Sequence, residues 1–75
     1  MSPSRGAADP ALVASTAAEL SVASDHVDRY RDRVHGLTQP LLGTNHDDAI
    51  AAMYEAERSL RSATRAIERA IKLLR

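Results

Sequence analysis

The sequence predicts an all-α protein: an antiparallel, coiled-coil-like two-helix hairpin that completes a four-helix bundle by dimerisation or by binding a partner. Three observations support this fold class. Apolar residues recur every seven positions in two segments, which is typical of supercoiled helices. Gly and Pro occur only near the start of the chain and between the two segments. The 75 residues contain no Cys, Trp or Phe, and so small a chain builds only a marginal core by itself.

The first segment predicts a helix from about residue 10 to about residue 35. Residues 1–8 are rich in Ser, Pro, Gly and Ala and are expected to form a disordered N-terminal tail. Asp9 followed by Pro10 is a typical helix start, because Asp accepts a hydrogen bond from a free backbone N–H and Pro suits the first helical position. Gly36 is the expected C-terminal stop.

The second segment predicts an uninterrupted helix from about residue 45 to residue 75, without Gly or Pro. A short loop, about residues 36–44, joins it to the first helix, and residues 9–75 are predicted to form one domain. Thr44 or Asn45 is the expected N-cap. Asp47 and Asp48 then place negative charge in the first turn, where the helix dipole favours it.

The seven-residue pattern predicts which residues hold the helices together. The predicted hairpin seam consists of Val13, Leu20, Val27, Tyr30, Val34, Ala49, Met53, Ala56, Leu60, Ala63, Ile67 and Ala70. Folding the chain about Leu41 and Leu42 makes the numbers of facing residues add up to 83, and Val27 then faces Ala56. This register matches most large residues with small ones, as facing helices require. Because an Ala-rich seam buries little apolar surface, we expect a partner or self-association.

Apolar residues outside this seam are candidates for a partner interface. They are Leu12, Val22, Ala52, Ala66, Ile71 and Leu73. Buried against a second protein, they would complete a four-helix arrangement. The alternative is that they are apolar groups scattered over the surface and over fraying helix ends.

Basic residues form one stripe on the predicted second helix, opposite the seam. The candidate contacts to an anionic partner are Arg58, Arg61, Arg65, Arg69 and Lys72. They fit a surface that binds nucleic acid or anionic lipid. They also fit a solvated face, because pairs such as Glu57–Arg61 are favourable neighbours on a helix. The formal net charge of zero argues against nucleic acid as the partner.

The sequence predicts a protein that is not an enzyme. Asp25, Asp28 and Asp32 share one face of the first helix, but Arg residues alternate with them and a two-helix hairpin offers no pocket. The sequence contains no nucleophile–base pair and no phosphate-binding loop, and its three His residues lack the spacing of metal ligands. We therefore expect no catalytic residue, no cofactor and no metal.

The sequence contains no transmembrane segment, because no apolar run is long enough. Its first residues lack the apolar core of a signal peptide. A cytoplasmic location is therefore expected, and export by a route without a cleaved signal stays open.

The architecture resembles a family of small hairpin proteins. A helix–turn–helix chain with an Ala-rich second helix, and with Leu41-Leu42-Gly43 in the turn, is similar to the Trp-X-Gly proteins of actinobacterial type VII secretion, the early secreted antigenic target-like group. The chain keeps the Gly of that motif but replaces its Trp. The family's Tyr-x-x-x-Asp/Glu export signal has no counterpart, since Arg58 follows Tyr54. The resemblance implies a homo- or heterodimeric bundle, in which this chain uses its partner's export signal or is not exported.

The function predicted from these observations is a non-enzymatic protein–protein interaction module, such as a type VII secretion-like hairpin partner or a homodimer. Two alternatives stay open. One is a small accessory subunit of a larger enzyme or membrane assembly. The other is an anionic-surface or nucleic-acid binder that uses the Arg stripe of the second helix.

Overall fold

The structure is a computed structural model that describes residue 6 and residues 8–75. In this part of the chain, helix α1 spans Pro10–Thr38, a short 3₁₀-helix spans Gln39–Leu41, and helix α2 spans Asp47–Leu74. The two α-helices pack against each other in antiparallel orientation. The predicted all-α hairpin is therefore confirmed.

Helix α1 begins as its sequence predicts. Asp9 is the N-cap, and its carboxylate oxygen Oδ1 accepts a hydrogen bond of 3.0 Å from the backbone N–H of Ala11. Pro10 occupies the first helical position, where the missing N–H costs nothing. The tail predicted for residues 1–8 lies largely outside the described residues, which exclude residues 1–5 and 7.

Helix α1 does not end at Gly36. The helix continues through this glycine to Thr38, so the predicted stop is wrong. Gly36 keeps a helical conformation, whereas Gly43 is the glycine with a positive φ, at +79°. Thr38 is completely buried, and its hydroxyl donates to the carbonyl of Val34 at 2.7 Å. Burial of this last turn against the rest of the hairpin outweighs the weak helix propensity of glycine.

The turn between the helices depends on Gly43 and Thr44. The left-handed conformation of Gly43 reverses the chain. Thr44 was one of two expected N-caps, but its hydroxyl instead donates to the carbonyl of Leu41 at 2.6 Å and closes the turn. The residue at the N-cap position of α2 is His46, and Asp47 and Asp48 follow in the first helical turn.

Two hydrogen bonds across the helix pair define its register. One joins His35 to Glu57 and the other joins Thr64 to Asp28, so the numbers of facing residues add up to 92. The predicted sum of 83 is wrong. The prediction placed the reversal at Leu41 and Leu42, whereas α2 begins only at Asp47. Val27 thus lies level with residue 65, roughly 13 Å along the helix axis from the level of Ala56, at about 1.5 Å per residue.

The hairpin is a rod with little interior. Its radius of gyration is 18.0 Å, whereas a compact domain of this length would have about 11 Å. Among the described residues, Ile50 is the one apolar residue that is fully buried, with 9% of its surface exposed. Two helices can cover each other along one stripe only, so most apolar surface of the pair stays open to water.

Candidate protein-binding face

The helices are joined by a polar pair, the buried Glu57 and the exposed His35. The Nδ1–H group of His35 donates to the Oε1 atom of Glu57 at 3.0 Å. The other ring nitrogen, Nε2, accepts from the side-chain amide of Gln39 at 3.5 Å, which is consistent with a proton on Nδ1. Glu57 is only 8% exposed, and its second oxygen, Oε2, is buried and accepts no hydrogen bond from the described residues.

A second polar pair, Asp28 and Thr64, lies seven residues further from the turn on each helix. The Thr64 hydroxyl donates to Oδ1 of Asp28 at 3.1 Å and also lies 3.2 Å from the carbonyl oxygen of Leu60. The guanidinium group of Arg31 lies 3.8 Å from the carboxylates of both Asp28 and Asp32. We call the pairs His35–Glu57 and Asp28–Thr64 the polar ladder. Because each rung needs one particular partner, the ladder selects one register of the two helices.

Along the seam the polar residues are more buried than the apolar ones, whereas a core that is stable by itself requires the opposite. The most buried polar positions are Ser24, Thr38, Glu57 and Thr64. The seam residues that remain half-buried include Val27, Val34, Leu60 and Ile67. Apolar side chains normally take the most buried positions, because their removal from water drives folding. The apolar half of this seam is therefore incompletely covered.

Helical geometry places three of the exposed large apolar residues, Leu12, Tyr30 and Leu37, on one side of the hairpin, whereas Val22 and Leu73 lie on the outer faces of their helices and Tyr54 lies on the opposite side. At about 100° per residue, Tyr30 and Leu37 lie roughly 90° to one side of the direction in which α1 faces α2. Asp28 lies roughly 75° to the other side, where it meets Thr64. Because both helices are right-handed and antiparallel, the Ala residues spaced by seven on α2 lie on the same side as Tyr30. We call this side the apolar face; its apolar residues are Leu12, Tyr30, Leu37, Ala56, Ala63 and Ala70, and the exposed Glu19, His26 and Arg33 lie on the same side of α1.

Most of the predicted seam residues are half-buried, and two are exposed. Ten of them are half-buried along the helix pair: Val13, Leu20, Val27, Val34, Met53, Ala56, Leu60, Ala63, Ile67 and Ala70. Tyr30 and Ala49 are exposed, so their assignment to the seam is wrong, and Tyr30 is 58% exposed. Tyr30 points sideways onto the apolar face, and Ala49 lies beside the turn, where the fully buried Ile50 takes the inner position.

The candidates for a partner interface are mostly exposed. Leu12, Val22, Ala52, Ala66 and Leu73 are open to solvent, with Leu73 the most exposed at 81%. Ile71 is half-buried, and with Ser21 at the same level of α1 it lines a groove of about 240 Å³. It lies on the same line of α2 as Glu57 and Thr64, facing α1, and is therefore less open to a partner than the other five candidates.

The Arg stripe shares its side of the hairpin with acidic residues. All five candidate anionic contacts, Arg58, Arg61, Arg65, Arg69 and Lys72, are exposed. By the register, Asp32 lies within one residue of the level of Arg61, and Asp28 within one residue of the level of Arg65. We call this side, opposite the apolar face, the charged face. Its basic and acidic groups offset each other, which weakens the attraction for phosphates that a basic stripe alone would provide.

The described residues offer no enclosed site. A second groove, lined by Asn45, His46, Asp47, Asp48 and Ala49, lies at the start of α2 and opens to solvent. Among residues 6 and 8–75, no group of three His, Asp or Glu side chains is placed to hold a metal ion. Neither described helix is long and apolar enough to cross a membrane.

The sequence interpretation missed the role of Glu57. It paired Glu57 with Arg61 on a solvated face, whereas the structure buries Glu57 against His35. A signal for this position was present, since Ile50, Glu57, Thr64 and Ile71 repeat every seven residues. The polar residues in the middle of that line concealed it, because a hydrophobic pattern assigns charged residues to the surface.

No family model, no curated protein and no solved structure matches this chain.

Proposed function

We propose that this protein is a non-enzymatic interaction module whose apolar face packs against another helical protein and thereby completes a four-helix bundle. The observation that carries this proposal is the distribution of burial along the seam. Its polar residues are buried in the hairpin, while its apolar residues remain half-open on one side. A second pair of helices on that side would cover them, as in four-helix bundles.

The apolar face has the composition of a binding surface. Tyr30 and Leu37 are 58% and 60% exposed, and they lie next to the half-buried Val34. Tyrosine is enriched among the residues that contribute most to protein–protein affinity. Tyr30, Val34 and Leu37 lie within about two turns of α1, and clusters of exposed apolar side chains occur at interaction sites.

The resemblance to the hairpins of type VII secretion makes them the first class of partner to consider. Its support is the two-helix architecture and Gly43, which adopts φ +79° in the turn at the position of the family's Gly. Leu41 stands in place of the Trp, and Arg58 follows Tyr54 where an acidic residue would complete the export signal. In this proposal the chain is made in the cytoplasm and depends on its mate for any export.

The alternatives have less support. An accessory subunit of a larger assembly would use the same apolar face, so it is a special case of the proposal. An anionic-surface binder would need a basic face, and the charged face carries Asp28 and Asp32 beside its arginines. We therefore place binding on the apolar face.

The proposal is tested by retention of bound protein on a tagged chain expressed in the cells that make it. Tyr30→Asp combined with Leu37→Asp places two charges on the apolar face, and both side chains are already exposed, so the hairpin itself should stay folded. We expect the wild-type chain to retain a defined helical protein, or more of itself, and the double variant to retain neither.

The matched control is Arg58→Asp combined with Arg65→Asp, which also introduces two aspartates but places them on the charged face. We expect this variant to retain the same protein as the wild type. Circular dichroism of all three chains verifies equal helix content. Loss of binding in the control, with retention by the Tyr30 and Leu37 variant, would show that the charged face is the binding surface and would refute the proposal.

A further inference from the structure

We draw no further inference here: the strongest candidate, the side-chain cluster of His35, Gln39 and Glu57 between the two helices, belongs to the polar ladder already described, and residues 6 and 8–75 place no third His, Asp or Glu side chain there to hold a metal ion at the buried Oε2 atom of Glu57.

Discussion

Replacing Glu57 by Leu tests whether the polar ladder stabilises the hairpin or mainly selects its register. Glu57 is 8% exposed, and within the described part of the chain its Oε2 atom has no hydrogen-bond donor. A buried polar atom without a partner costs about 1–3 kcal/mol, and a charged one costs more. The substitution also removes the hydrogen bond to His35, which contributes about 1.5–3 kcal/mol because one partner is charged.

The leucine at position 57 would be buried on the line of α2 that already holds Ile50 and Ile71. Its burial contributes about 1.5–3 kcal/mol, which roughly offsets the lost hydrogen bond. His35 is left without its carboxylate, but 59% of its side chain is exposed, so water takes that place. Removal of the unpaired Oε2 atom of Glu57 is then the largest remaining contribution to the free energy of unfolding. We expect the free energy of unfolding to rise by about 1–3 kcal/mol, the cost of the unpaired buried oxygen that the substitution removes.

The assay is urea unfolding followed by circular dichroism at one fixed protein concentration, with linear extrapolation to water. Glu55→Leu is the matched control, because Glu55 is exposed on the same helix, and its effect should stay within about 0.5 kcal/mol. The reasoning is refuted when Glu57→Leu lowers the free energy of unfolding by more than about 1 kcal/mol relative to Glu55→Leu. The ladder would then be a net stabilising element.

Three further substitutions test the helix ends and the turn by the same unfolding assay. Gly36→Ala should raise the free energy of unfolding by about 0.5–1 kcal/mol, because the position is helical and a Cβ there meets no atom within 4 Å. Gly43→Ala should lower it by about 1–2 kcal/mol, since its φ of +79° disfavours any side chain, and equal effects at the two glycines would contradict this assignment. Asp9→Ala should lower it by about 1 kcal/mol through loss of the N-cap, and an unchanged midpoint would show that the first turn is already frayed.

Several local features were predictable from short stretches of sequence. Asp9 with Pro10 marked the start of α1, and the seven-residue repeats indicated two helices packed side by side. Each of these signals depends on neighbouring residues or on one repeat length, which the sequence displays directly. The end of α1 was not predictable in this way. Gly36 is a common stop signal, but the packing of Thr38 keeps the helix intact beyond it.

The register of the two helices shows most clearly what could not be predicted from the sequence. Matching large residues with small ones produced a consistent pairing in which Val27 faced Ala56, yet the hairpin adopts another register. The observed register pairs Glu57 with His35 and Thr64 with Asp28. An apolar contact tolerates displacement along a helix, whereas a buried hydrogen bond exists only at one distance and angle.

The sequence by itself determined that this chain forms two amphipathic helices, since their period, caps and breakers are local properties. Only the tertiary structure decided which face of each helix is used within the hairpin and which remains open. Tyr30 belongs to the same repeat as the half-buried Ala23, but 58% of its surface is exposed in the hairpin. The physical reason is that two helices bury one narrow stripe, and polar residues occupy most of its buried positions. The rest of the apolar surface stays open to water.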